Sequence, residues 1–289
     1  MLNINRTASI IIPTFNRAEL LPRAIESALN QSYPCEVIVC DHGSVDNTPE
    51  VANKYKGQII YIRKEKDSGP IACWKDGLEN ATGEVAVINY DDDWLAPTFM
   101  EKSIHFLEED IGFVYCRVMI HHNKNTKIIK NFHPPYINPM DDIANYLLNI
   151  NYTISPGCAI FRRKDAISNL LDCIPGASGK YGKYSGVGED LLLFLLTSLD
   201  YPKYAHLPEP LANFLAHDKS ITTSAMNSNN NELAFSYKHA RNYFLKLIDK
   251  RPLVPFKIII FWIKWFYKSS EKIKGLCYLI LSIKNYFNK

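Results

Sequence analysis

Residues 89–97, "NYDDDWLAP", follow the apolar run "EVAVI" and set Asp91, Asp92 and Asp93 side by side. Three carboxylates brought to one spot repel one another unless something positive sits among them, so the cluster calls for a cation or a cation-bearing substrate. The plain alternative is a solvated acidic turn that caps the helix after Pro97. A second acidic pair, Glu189-Asp190, follows the glycine- and aromatic-rich stretch "IPGASGKYGKYSGVGED". Acids at a helix start are favoured by the helix dipole, which accounts for their type but not for their arrival after a loop of that composition. Polar groups also gather at Thr14 to Arg17 and at Asp41 to Ser44.

These groups sit at the ends of regular elements. "ASIIIPTFNR" reads as a buried strand ending in a turn, followed by "AELLPRAIESALNQ", which is apolar at helical spacing. "CEVIVCD" is a second strand, and Ser44 or Asp46 is placed to cap the helix that "PEVANKYK" begins. "QIIYIRK" is a third strand, "IACWKDGLENA" a helix, and "GEVAVINYDDD" a fourth strand. This alternation predicts an α/β fold with a mainly parallel, Rossmann-like sheet flanked by helices. Ligands in such sheets collect at the carboxyl ends of the strands, where Thr14 to Arg17, Asp41 to Ser44 and Asp91 to Asp93 fall. Further on come a helix at "PTFMEKSIHFLEED", strands at "GFVYCRVMIHH" and "GCAIFRR", a loop at "IPGASGKYGKYSGVGED" and the helix "EDLLLFLLTSL". "SAMNSNNNE" is a polar, low-complexity linker. The expected division is a body of residues 1–225 and a helical, amphipathic appendage of residues 226–289.

Seven cysteines without a CxxC pair, and an N-terminus without a secretory pattern, indicate a reducing, cytoplasmic setting. The net charge of +3 is unevenly spread. From Lys250 to Lys289 nine Lys or Arg face one acid, Glu271, a net +8; the remainder holds 24 basic and 29 acidic residues, or −5. Lys257, Lys264, Lys268 and Lys272 form one helical stripe, with Ile258 to Ile263, Trp265 and Phe266 filling much of the remaining circumference. Central lysines disfavour a bilayer span. They suit a helix lying in the interface, so residues 255–284 are expected to meet an anionic membrane surface, peripherally and on the inner face of the cell membrane. Packing of the same helices on the body, with the lysines in water, is the simpler alternative.

In order along the chain, "SIIIPTFNR", "VCDHGSVDNT", "DSGPIACWKDGLENATGEVAVINYDDDWLAP" and "GED" resemble the motifs of family 2 glycosyltransferases over roughly residues 7–220. The resemblance implies the GT-A fold, a nucleoside-diphosphate sugar donor, inversion at the anomeric carbon, and Mn2+ or Mg2+ bridging carboxylates and diphosphate. It assigns the metal to Asp93, with Asp91 facing donor and metal and Asp92 as an alternative ligand. Strand alternation, if it persists, turns Asp92 away. Asp41 begins the pair whose second member tends to meet the nucleobase; here that position is His42. Asp67 matches an acid near the nucleoside, Thr14 and Arg17 follow the first strand, and His217 lies where a late polar residue meets diphosphate or metal. Asp190 matches the general base, with Glu189 as the fallback; inversion needs a carboxylate to take the acceptor hydroxyl's proton. Each has a simpler alternative: turn residue for Asp67, helix-start residue for Arg17, structural histidine for His217. His121, His122 and His133 lack a partner set.

The tail and the resemblance together imply a glycan or lipid-linked acceptor in bacterial surface-polysaccharide synthesis. A sugar nucleotidyltransferase would need a glycine-rich basic loop after the first strand, which "PTFNRAELL" does not supply. A glycan- or membrane-binding module on a degenerate body draws some support from His42, while the intact "DDD" and "ED" argue for an enzyme. An acidic body is a poor companion for nucleic acid.

Anionic vesicles should co-sediment the full chain and not a chain ending at Asp249. Each interfacial lysine should add about 1 kcal/mol, and binding should weaken with salt. Equal solubility of both chains at low salt would make the tail a packing element.

Overall fold

The computed structural model describes residues 6–122, 125–127, 154–176, 186–201, 203–217, 220 and 232–249. Residues 177–185 of the glycine-rich loop, most of the "SAMNSNNNE" linker, His133 and the entire basic tail lie outside the described residues. Contacts divide the chain into two compact units, Met1–Ala240 and Arg241–Lys289. In the first, β1 (Ala8–Thr14) is followed by α1 (Leu21–Leu29), β2 (Glu36–Asp41), α2 (Thr48–Asn53), β3 (Ile60–Arg63), α3 (Pro70–Asn80) and β4 (Val85–Ile88). Then come β5 (Trp94–Leu95), α4 (Phe99–Ile104), β6 (Ile111–His122), β7 (Asn125–Lys127) and a 3-10 turn at Pro156–Cys158. β8 (Ala159–Arg162), α5 (Arg163–Asn169), α6 (Glu189–Thr197), β9 (Lys203–Ala216) and the first part of α7 (Glu232–Asp249), whose residues after Ala240 belong to the second unit, complete the order.

One nine-stranded sheet runs β3-β2-β1-β4-β8-β6-β9-β5, with β7 paired to β6. Its first half is wholly parallel, as the βα alternation predicts. Beyond β4 the sheet is mixed: β8 runs antiparallel to both β4 and β6, and β9 returns parallel to β6. β1 is buried along its whole length, and β4 likewise, as expected for central strands covered on both faces. α1 buries Leu21, Ala24, Ile25 and Ala28 at helical spacing and packs on β1, β2 and β5.

β9 is the element that sequence patterning does not reveal, because Pro208 and Pro210 argue against a paired strand. The structure resolves the conflict with an irregularity: Leu207 faces Cys116 and Pro210 faces Arg117, so the prolines fall where the register slips. Asp46, rather than Ser44, serves the start of α2 by accepting Thr48 N–H at 3.0 Å. Ser44 Oγ instead accepts the N–H of Asn16 at 2.8 Å.

α3 lies close on β1 and β2 because residue 77 is glycine. A Cβ there would stand 2.3 Å from Ile11 Cγ2 and 3.0 Å from Cys40 Sγ. Helix propensity alone favours alanine by about 1 kcal/mol, yet Gly77→Ala should destabilise the fold by about 1–3 kcal/mol through overpacking. Urea unfolding measures the difference; a raised midpoint would contradict the packing argument.

Candidate active site

β4 ends at Ile88, so Asp91 to Asp93 lie in a turn beyond the strand and strand alternation does not govern them. The parallel register Ile11↔Ile88 carries Thr14 toward Asp91, and Thr14 Oγ1 donates to Asp91 Oδ2 at 2.8 Å. Asp93 Oδ1 accepts the N–H of Leu215, from β9, at 3.0 Å. Asp92 Oδ2 stands 3.0 Å from His217 Nε2, and Arg17 Nη1 stands 3.1 Å from that same nitrogen. One ring nitrogen cannot donate to a carboxylate and accept from a guanidinium together, so the histidine tautomer selects one of the two contacts. Arg23 Nη2 donates to the backbone oxygen of Asp92 at 2.7 Å, while its guanidinium lies 3.9 Å above the Trp94 ring.

All three carboxylates are therefore gathered at one place, and two of them are buried. Burial, then the neighbouring Asp92 charge, pushes the Asp91 carboxyl up to about 7 against the pull of Arg17 and Thr14. The same two causes hold Asp93 well above the carboxylate range. Among the described residues no group of three or more His, Cys, Asp or Glu could hold a metal on its own. A Mg2+ or Mn2+ that completes its shell with substrate phosphates and water needs only one or two carboxylates. A buried carboxylate cluster with this much uncompensated negative charge fits such an ion.

At the end of β2, Asp41 is fully enclosed. Its Oδ1 accepts Ser44 N–H at 2.8 Å, its Oδ2 accepts the Tyr61 hydroxyl at 2.7 Å, and Arg63 Nε lies 3.5 Å away. Asp41 thus holds the turn that presents His42. Nδ1 of His42 is 2.6 Å from Asp67 Oδ1, which also accepts Gly69 N–H at 2.8 Å, and Phe15 packs 5.1 Å from the imidazole. The two loops fit because residue 43 is glycine at φ +95°, where a Cβ would come within 2.9 Å of the Lys66 carbonyl carbon. Thr14, Arg17, Asp41, His42 and Asp67 are all within this one assembly.

Glu189 and Asp190 open α6 behind Gly188, whose φ of +94° suits glycine. Asp190 is buried; its Oδ1 accepts the N–H groups of Gly188 and Leu191, both at 2.7 Å, and its Oδ2 accepts the Tyr237 hydroxyl at 3.2 Å. Burial outweighs these donors and pushes the Asp190 carboxyl up to about 7. Glu189 is also raised by burial, and its Oε2 is enclosed without a hydrogen-bond partner among the described residues.

Tyr90 links the two acidic sites. Its phenol is pushed well up by burial and by the charges of both Asp190 and Asp93. Tyr90 and Tyr237 are not distinguished by sequence: the first precedes an acidic triplet that draws the eye, and the second lies past a linker in an ordinary helical pattern. Leu215 acts through its backbone, which no side-chain pattern reveals.

A family model described as Glycosyl transferase family 2 matches residues 9–170. An uncharacterised glycosyltransferase of Rickettsia typhi is 27% identical over 259 residues, covering 86% of this chain and 74% of its own. The Escherichia coli UDP-Glc:alpha-D-GlcNAc-diphosphoundecaprenol beta-1,3-glucosyltransferase is 36% identical over 116 residues, 39% of this chain and 46% of its own. The chain thus spans less than half the length of that second relative. The structure of S. aureus TarS with UDP-GlcNAc superposes with a TM-score of 0.65 at 18% identity, covering 88% of this chain and 70% of that one. The Pyrobaculum calidifontis mannosyltransferase with GDP-Man and Mn2+ gives a TM-score of 0.51 at 15% identity, covering 99% and 88%. These likenesses establish the GT-A fold.

Asp190 also predicts a pH signature of stability. Its folded carboxyl titrates at about 7, above the roughly 3.9 of an unfolded aspartate. The folded state therefore binds the extra proton between those values, and stability is lost as pH rises through that window. Asp190→Asn, which keeps the Oδ1 acceptor, should raise Tm relative to wild type more at pH 8 than at pH 5. A Tm difference independent of pH would contradict the raised carboxyl.

Proposed function

The chain belongs to glycosyl transferase family 2, and on that premise we propose that it transfers a sugar, with inversion, from a nucleoside-diphosphate sugar to a hydroxyl of a glycan acceptor. The single observation that carries this reading is the presence of two buried acidic sites, Asp91 with Asp93 and Asp190, at positions where the sequence resembles the family's motifs. An inverting displacement needs a centre for the departing diphosphate on one side of the sugar and a proton acceptor on the other. Two buried acidic sites, the 91–93 turn and Asp190, both near enough to Tyr90 for their charges to act on its phenol, are the candidates for those two roles.

In this reading Asp93 and Asp91, with Asp92 and His217 as alternatives, would hold Mn2+ or Mg2+. When bound, the ion would neutralise charge on the diphosphate leaving group. Arg17 contributes a fixed positive charge beside the same turn, and its contact with His217 ties the end of β9 to the donor site. His42 and Asp67, pinned by Asp41 and Gly69, form the wall for the nucleoside. A carboxyl at about 7 leaves Asp190 able to accept a proton near neutrality and to release it again, which suits a general base. Glu189, half-buried and also raised by burial, is the alternative. The lipid-linked character of the acceptor, and attachment at the inner face of the membrane through residues 255–284, follow from the basic aromatic tail. No helix among the described residues is long and apolar enough to cross a membrane. A glycan-binding module without activity is the second reading; it gains only from His42.

Purified protein is assayed with Mn2+ against a panel of UDP- and GDP-sugars and a diphosphate-lipid-linked acceptor sugar. Wild type should transfer. Asp190→Asn should lose about a hundredfold or more in kcat while binding donor as wild type. Asp93→Asn should lose the Mn2+-dependent part of nucleoside diphosphate affinity in titration calorimetry. Wild-type turnover by Asp190→Asn would reject the base, and unchanged Mn2+-dependent affinity in Asp93→Asn would reject the metal assignment.

A further inference from the structure

We propose that Tyr237, on α7, is a positioning residue that fixes the Asp190 carboxylate and leaves it one open proton-accepting position. The proposal rests on Asp190 being the general base. A carboxylate has about four lone-pair sites over its two oxygens. Two on Oδ1 are filled by the N–H groups of Gly188 and Leu191, both at 2.7 Å. The Tyr237 hydroxyl fills one on Oδ2 at 3.2 Å. Among the described residues nothing else bonds to Asp190, and the remaining Oδ2 site is where an acceptor hydroxyl would deliver its proton.

The phenol cannot drift from this position without moving the start of α7. A Cβ on residue 188 would come within 2.8 Å of the Ser236 carbonyl oxygen and 3.1 Å of its carbon, so the helix backbone lies directly on the turn that precedes Asp190. Ser236 is buried there. The residue beside the phenol on α7 thus meets the same turn whose N–H holds Oδ1, and both oxygens of the carboxylate are set by one contact between α7 and the start of α6.

Among the described residues three ionisable groups act on or are acted on by Asp190: Glu189 on its own helix, Tyr90 from the turn after β4, and Tyr237. The first two carry or develop negative charge and disfavour its ionised form. Tyr237 is the side chain among them that donates to it. A hydrogen bond to the charged form favours that form. Removing the hydroxyl should therefore raise the pH at which the base becomes competent, and strengthening the donor should lower it.

The test is the pH profile of kcat for the full chain with Tyr237→Phe, with 3-fluorotyrosine at position 237, and with Asp190→Asn. Tyr237→Phe should move the acid limb up by about one pH unit, the usual scale of a hydrogen bond to a charged group. With the wild-type base half ionised at pH 7, that shift should lower kcat at pH 7 by about fivefold and leave donor KM unchanged. The fluorinated residue keeps the ring and hydroxyl, is a stronger donor, and should move the limb down. A merely structural role would change Tm or amplitude without moving the limb in opposite directions. If Asp190→Asn is inactive and both Tyr237 substitutions leave the limb where wild type has it, the positioning role is wrong and the base stands. If Asp190→Asn turns over like wild type, the base assignment falls and Tyr237 falls with it.

Discussion

Negative charge without enough water is the constraint around which the site is assembled. Asp91 and Asp93 are buried with Asp92 between them, an arrangement that isolated carboxylates would avoid by taking up protons. Each is instead met by a group from a different part of the chain: Thr14 from β1, Leu215 N–H from β9, and His217, near Arg17, just beyond β9. The register of the central strands does the first part of this. Ile11 faces Ile88 and Thr14 faces Asp41, so Thr14 sits between the two acidic strand ends. The compensation is incomplete, as the raised Asp91 carboxyl shows. A carboxyl that holds its proton for want of positive charge is what the proposed cation would ionise and pair with.

The second acidic site uses burial differently. Asp190 is satisfied by the N–H groups of its own helix start, yet remains raised because the enclosure outweighs three donors. A structural carboxylate at a helix N-terminus gains most when it is ionised and solvated. One kept near neutrality gives up part of that benefit, and such a sacrifice is common where proton transfer is the task. Asp91 and Asp190 are both pushed up to about 7 for the same first reason, burial, but differ in the second. For Asp91 it is the like charge of Asp92, which raises the carboxyl further, whereas for Asp190 it is the N–H of Leu191, which lowers it.

The part of the fold that could be read from sequence is the part built from contiguous signals. Apolar runs such as "SIIIP" and "EVAVI" followed by polar turns gave the parallel half of the sheet, and acid-bearing ends gave Asp41, Asp91 and Asp190 as candidates. The mixed half was hidden because β9 contains two prolines at a slipped register, and its partner β6 begins more than 90 residues earlier. With β9 hidden, its Leu215 N–H could not be placed against the triplet, and only the resemblance pointed His217 there. The relative roles of Asp91 to Asp93 could not follow from alternation, because β4 stops at Ile88. Asp41 looked like a ligand-facing acid, and its enclosure by Tyr61 and Arg63 depends on the β2–β3 register. Tyr237 carries no local signal at all; only the fold brings it to Asp190.

The central claim is that one sugar can lie between the two acidic sites, leaving group toward Asp91 to Asp93 and attacking hydroxyl toward Asp190. The direct measurement is a crystal structure of the full chain with an intact nucleoside-diphosphate sugar and Mn2+. The account predicts the ion and diphosphate at the 91–93 turn, within coordination distance of at least one of its carboxylates. It also predicts Asp190 Oδ2 on the face of the anomeric carbon opposite the departing phosphate. A donor bound with its diphosphate away from that turn, or with Asp190 on the same face as the leaving group, would contradict it.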